Sequence, residues 1–128
     1  MTPNTHPRID RALVGEPVAL SPGQSVVRLL TLPSMVADDR GLVHGGFIFG
    51  LADYAAMLAV NDPNVVLGSA EVRFVAPVRV GERVEARAQR VETKGKKGVV
   101  AVIAAVGDRT VLEGTFTTFT LDKHVLDR

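Results

Sequence analysis

The 128 residues contain no cysteine. This excludes disulfides, thiolate metal sites and cysteine nucleophiles, and it fits a reducing compartment, so the expected location is the cytoplasm. Surplus charge is also missing. Fifteen Lys and Arg stand against 14 Asp and Glu, a net charge of +1, which gives no basis for nucleic acid or a polybasic membrane contact as partner. No stretch reaches the ~20 apolar residues of a membrane span, and "MTPNTHPRID" has no apolar centre of signal-peptide type. The G-x-S-x-G elbow of serine hydrolases is absent. "GKKG" joins two strand-like runs and opens no helix, so it is not a phosphate loop. Two of the three histidines, His6 and His124, lie in the tails, and neither a metal nor a separate cofactor is expected.

The length suits one domain that buries roughly two thirds of the surface its unfolded chain exposes. Residues 1–8 are polar and carry two prolines, and they read as a tail; residues 9–128 are the single domain. "IDRALV" offers one helical turn. "EPVAL" and "SVVRLLTL" flank a Pro-Gly pair and read as a hairpin. After a loop, residues 46–60 are apolar, small or glycine on every face except at Asp53, the pattern of a helix covered all round. Four β-rich runs follow: "VVLGSAEVRFVAP", "RVEARAQRVET", "GVVAVIAAV" and "TVLEGTFTTFTL". Val84, Ala86 and Ala88 alternate with Glu85, Arg87 and Gln89, as in a half-buried strand. "GVVAVIAAV" has no polar face and is expected at the centre of the sheet or covered on both sides, with a second subunit as one possible cover. Lys94, Lys96 and Lys97 fit a solvated hairpin tip better than a phosphate site. The fold class is α+β, an antiparallel sheet curled around one central helix.

Asp53 is the unusual residue. Burial alone raises a carboxyl's pKa by favouring its neutral form. Its helical neighbours Phe49, Gly50, Ala56 and Met57 offer no countercharge. Either it accepts hydrogen bonds from a strand or a wet subunit contact, or it is catalytic. The helix begins with "HGG", where the first N–H groups lack intrahelical acceptors and two glycines let a ligand oxygen come close to the main chain. Gly45 and Asp53 are eight residues apart, ~12 Å along a helix axis at 1.5 Å per residue. They do not serve one reacting carbon within one chain. Two antiparallel copies of the helix bring one chain's Gly45 to the other's Asp53.

"VHGGFIFGLADYAAMLAVN" resembles the signature helix of the hotdog-fold acyl-CoA thioesterases, particularly the phenylacetate-degradation type. "IDRALVGEPVALSPGQSVVRLL", "EVRFVAPVRVGERVEARAQRV" and "KGKKGVVAVIAAV" are similar to that family's flanking elements, so the likeness covers all but the ends. It implies hydrolysis of an acyl-CoA thioester by a homodimer, with a dimer of dimers as the expected assembly and coenzyme A present only as part of the substrate. Asp53 falls on the catalytic carboxylate, as nucleophile or general base, and Gly45 on the residue whose N–H polarises the carbonyl. His44 falls on the motif histidine that orients the loop, and Gly46 completes the glycine pair. Asp38 stands where many members carry an asparagine that places water or substrate. Leu67 stands where many carry Ser or Thr. Ser69 and Glu71 share Leu67's strand face by alternation and are candidates to replace it.

A hotdog hydratase needs an Asp and His pair on this helix, which is absent. A non-catalytic hotdog module that binds acyl-CoA as sensor or carrier keeps the glycines and the dimer but has no need of Asp53. Phe47, Phe49, Tyr54 and Met57 suit an apolar pocket and suit a core equally, and core is the simpler expectation.

Overall fold

A computed structural model describes residues 1–127, and Arg128, the expected last residue of the domain, lies outside the described residues. The chain opens with α1 (Arg11–Val14), a single turn capped by Asp10, whose Oδ1 accepts the Ala12 N–H at 2.9 Å. Gly15 then turns the chain at φ 112°, and a Cβ there would stand 2.9 Å from the Arg28 carbonyl oxygen and 3.0 Å from Leu51. Only glycine passes this junction without strain. The hairpin β1 (Glu16–Ser21) and β2 (Gln24–Leu30) turns on Gly23, as the Pro-Gly pair predicts. A short 3₁₀ turn (Pro33–Met35) leads to α2 (Gly45–Val60), which ends at Asn61 in the left-handed region, its N–H bonded to the Met57 carbonyl at 2.8 Å.

The four remaining strands are β3 (Val65–Phe74), β4 (Arg83–Lys94), β5 (Lys97–Val106) and β6 (Arg109–Thr120). All pairings are antiparallel, in the order β1-β2-β4-β5-β6-β3. This is the hotdog fold, a six-stranded sheet with the long helix packed on one face. Ile48, Leu51, Ala52, Ala55 and Leu58 of α2 meet Val27, Val84, Val100, Val102 and Phe116 of the sheet in one core. The β4 alternation holds, with Val84, Ala86 and Ala88 buried.

One sequence expectation holds and another changes. β5 is central, flanked by β4 and β6, with Val100, Val102 and Ala104 fully inward. Its other face is not covered by any described part of the chain, and Ile103 there is 53% exposed. Residues 1–8, read as a tail, lie against the end of α2. Asn61 Oδ1 accepts the Asn4 N–H at 2.7 Å, Asn61 Nδ2 donates to the Thr2 carbonyl at 3.0 Å, and Thr5 is buried. Composition alone does not show this, because the segment is held by main-chain groups and not by an apolar pattern.

Candidate active site at the start of the central helix

The segment before α2 is fixed from two sides. The His44 N–H donates to the Met35 carbonyl at 2.9 Å and the Val43 N–H to the Val78 carbonyl at 2.8 Å, with Leu42 bridged to Arg79. Met35 is fully buried and anchors the loop. His44 therefore enters as the N-cap in an extended conformation, and the helix starts at Gly45. Its ring is exposed and makes no capping bond, lying edge-on to Phe47 with centroids 6.2 Å apart. The loop is held through the main chain of His44, not through its imidazole. Among the described residues no acceptor faces the N–H groups of Gly45 or Gly46, so two donors stand free at the positive end of a 16-residue helix.

Both glycines are closely approached. A Cβ on Gly46 would stand 3.1 Å from the His44 ring, and one on Gly45 would stand 3.2 Å from Cε1 of Phe74. Beside Gly45 opens a cleft of about 290 Å³ walled by Val43, Ile48, Phe74, Pro77, Val78 and Val111. Phe74 is the site residue that the sequence reading missed. The signal for it was the Phe-x-x-Pro motif (Phe74, Pro77), which marks the point where β3 ends and the chain crosses beneath the helix start.

Asp53 lies two turns on. At 3.6 residues per turn, Gly46, Phe49, Asp53 and Val60 share a sector of about 60°, an open stripe in which none of the four is buried. Its Oδ1 is buried and has no hydrogen-bond partner. Desolvation pushes the carboxyl from 3.8 up to about 6. The neighbouring Tyr54 hydroxyl is also buried without a partner, but its ring turns to the N-terminal segment, 6.0 Å from His6. Asp53 and Gly45 remain ~12 Å apart along the axis, as their spacing requires.

The other expected residues disperse. Asp38 is exposed, and its Oδ1 accepts the N–H groups of Arg40 at 2.9 Å and Leu42 at 3.2 Å, so it shapes the loop. Its side chain borders a second cleft of about 280 Å³ with Arg40, Leu42 and Arg79, and Pro77 is a wall of both clefts. Ser69 and Glu71 do not share Leu67's face. The register slips between Leu67 and Ser69: Leu67 pairs with buried Thr118, whereas Ser69 and Glu71 pair with Thr117 and Thr115 on the side away from α2. A bulge at Gly68 adds one residue and inverts the alternation. Lys94 and Lys97 close the β4–β5 hairpin, and Lys96 Nζ is 2.8 Å from Asp122, as a hairpin tip predicts. Among the described residues no three metal-ligating side chains converge.

Residues 40–113, which include the glycine pair, the cleft walls and Asp53, match the thioesterase superfamily model. The chain belongs to the thioesterase superfamily. A solved structure of an uncharacterized protein from Pyrococcus horikoshii is 52% identical with a TM-score of 0.98, covering 99% of this chain and 98% of that one. A point variant of the phenylacetic acid degradation protein PaaI from Thermus thermophilus is 33% identical with a TM-score of 0.80, covering 87% and 96%. Among curated relatives, this superfamily member is 52% identical over 119 residues to the methylthioribose-1-phosphate isomerase of Aquifex aeolicus, but spans only 26% of it. It is 28% identical over 117 residues to the transcription factor FapR of Thermoanaerobacter, spanning 58% of that protein.

Proposed function

We propose that this protein hydrolyses an acyl-CoA thioester at a site shared by two copies of the chain, in the manner of the phenylacetate-degradation type. One observation carries the reading: a carboxylate oxygen, Asp53 Oδ1, is buried without a partner on the open stripe of an otherwise apolar helix. A buried oxygen without a donor costs stability, and such perturbed acids concentrate at active sites.

The free edge of β3, ten residues long, and the geometry of the helix support a dimer. Gly45 and Asp53 lie four residues either side of Phe49, which also sits at the mean of their angular positions. A two-fold axis passing at Phe49, with the helices antiparallel, sets each Gly45 against the partner's Asp53. The two Gly45-to-Asp53 sites are then equivalent.

In the reaction, Asp53 accepts a proton from water as the water oxygen bonds to the thioester carbon, or its own oxygen attacks and water later cleaves the anhydride. The carbonyl oxygen becomes an oxyanion in either case and is held by the Gly45 N–H at the helix N-terminus. Collapse of the tetrahedral species breaks the C–S bond, and the products are a free acid and coenzyme A. Release of free thiol from short, medium, long and aromatic acyl-CoAs tests this directly. Asp53→Asn is expected to lose ~10²-fold or more; absence of release from every substrate, or full activity in the variant, overturns it.

A second reading, an acyl-CoA-binding sensor, is favoured by the likeness to the transcription factor FapR. It needs the free N–H groups but leaves Asp53 without a task.

A further inference from the structure

Every residue that walls the cleft beside Gly45 is apolar or glycine, and Phe74 occupies a singular position among them. Its ring lies against Gly45, with Cε1, Cδ1 and Cζ at 3.2, 3.6 and 3.7 Å from where a Cβ would be, yet the residue is 56% exposed. No described part of the chain covers the rest of the ring. The backbone beyond it is fixed by the Val75 N–H donating to the Val111 carbonyl at 2.8 Å. The ring thus has a fixed base, one side packed on the first residue of α2 and another side open to a ligand. We infer that Phe74 determines which acyl groups reach the Gly45 N–H, and that the cleft takes an uncharged, apolar acyl group.

This rests on the acyl-thioester reading of the site. An acyl chain in the cleft lies against the open side of the ring and exchanges water for apolar contact. A carboxylate-terminated chain in the same place gives up its hydration with no cation in the wall to compensate. Asp38, Arg40 and Arg79 border the adjoining cleft, on the far side of the Pro77 wall, and Arg109, which donates to the Pro77 carbonyl at 3.5 Å, is paired with the Glu82 carboxylate at 3.0 Å. The apolar and the charged parts of a thioester therefore meet separate surfaces.

Calorimetric titration with two non-hydrolysable thioethers, S-butyl-CoA and S-(3-carboxypropyl)-CoA, tests the assignment. In the native protein the butyl compound is expected to bind ~10²-fold more tightly. Phe74→Ala is expected to weaken butyl binding ~10-fold while leaving plain CoA unchanged, and Phe74→Leu to recover most of the loss. Far-UV circular dichroism confirms that both variants fold. Equal affinity for the two thioethers, or butyl binding indifferent to Phe74→Ala, overturns the inference. Thiol release from butyryl-CoA, measured alongside, separates it from the hydrolase reading: Phe74-dependent binding without release removes hydrolysis and keeps Phe74 as the selector, and release with Phe74-independent binding does the reverse. Absence of any binding overturns both.

Discussion

Replacing Asp53 by asparagine should destroy activity and, at neutral pH, strengthen the fold. The carboxyl's pKa stands at about 6 in the folded chain against an ordinary 3.8, because its burial disfavours the charged form. The folded protein therefore holds this proton to higher pH than the unfolded chain does. Between those two values it binds more protons than the unfolded chain, so stability falls as pH rises through the window. Above pH ~7 the loss is complete. At 1.36 kcal/mol per pKa unit the two values differ by ~3 kcal/mol, an upper bound since the substituted amide also gives up water on burial. Urea denaturation of both proteins across pH 4 to 8 should show coincident midpoints near pH 4 and a variant more stable by ~1–3 kcal/mol at pH 8.

The same titration sets the rate. With Asp53 active only as the carboxylate, kcat/KM should rise about tenfold from pH 5 to pH 7 around a midpoint near 6 and then level off. An asparagine variant less stable than the native protein at pH 8 would refute the reasoning, because it would mean that the assembled protein gives the ionised oxygen a donor. The ground-state carboxylate would then be satisfied and its pKa low, and the rate would show no rise near pH 6.

Gly45→Ala pushes a methyl group to within 3.2 Å of the Phe74 ring, so kcat/KM should fall ~10-fold or more. Stability measured by thermal melting should change by no more than ~1 kcal/mol, since alanine is the better helix former. Mixing inactive Asp53→Asn with inactive Gly45→Val chains should restore about a quarter of native activity, because half of the random dimers carry one intact site of two; no recovery after verified exchange would mean that the site is not shared. In a chain without native cysteine, Phe49→Cys should oxidise to a covalent dimer on a non-reducing gel. Helices in contact pack ~8–10 Å apart, which brings facing Cα atoms within the ~7 Å limit for a disulfide. A cysteine at Val26, on the outer sheet face, is the control that should stay monomeric on the same gel.

The helix and the sheet were legible because each is written in a period. The run at residues 46–60, apolar except at Asp53, becomes α2 within one residue, and the Val84, Ala86, Ala88 alternation becomes the inner face of β4. The spacing of Gly45 and Asp53 also carries over, since it depends only on helical rise. What escaped has no periodic signature. The bulge at Gly68 adds one residue to β3, and that single addition moves Ser69 and Glu71 to the face opposite the helix. Phe74 looks like any strand aromatic until the loop at Pro77 folds back and sets its ring on Gly45.

Under the shared-site proposal each chain carries what would otherwise count as faults: free N–H groups at Gly45 and Gly46, an orphaned Asp53 oxygen and an open β3 edge. Singly, each is an unsatisfied group. They are not scattered, however. Phe74 ties the end of β3 to Gly45, and Phe49, on the same stripe as Asp53, packs on Phe116 of the adjoining β6 with ring centroids 5.5 Å apart. The open stripe of α2 thus borders the open edge of the sheet, and a second copy that extends the sheet at β3 lays its own stripe alongside. Under the shared-site proposal, the one contact that covers the edge also sets a carboxylate across from each free amide with the thioester between them, so the amide is kept for the oxyanion and Asp53 is left without a donor.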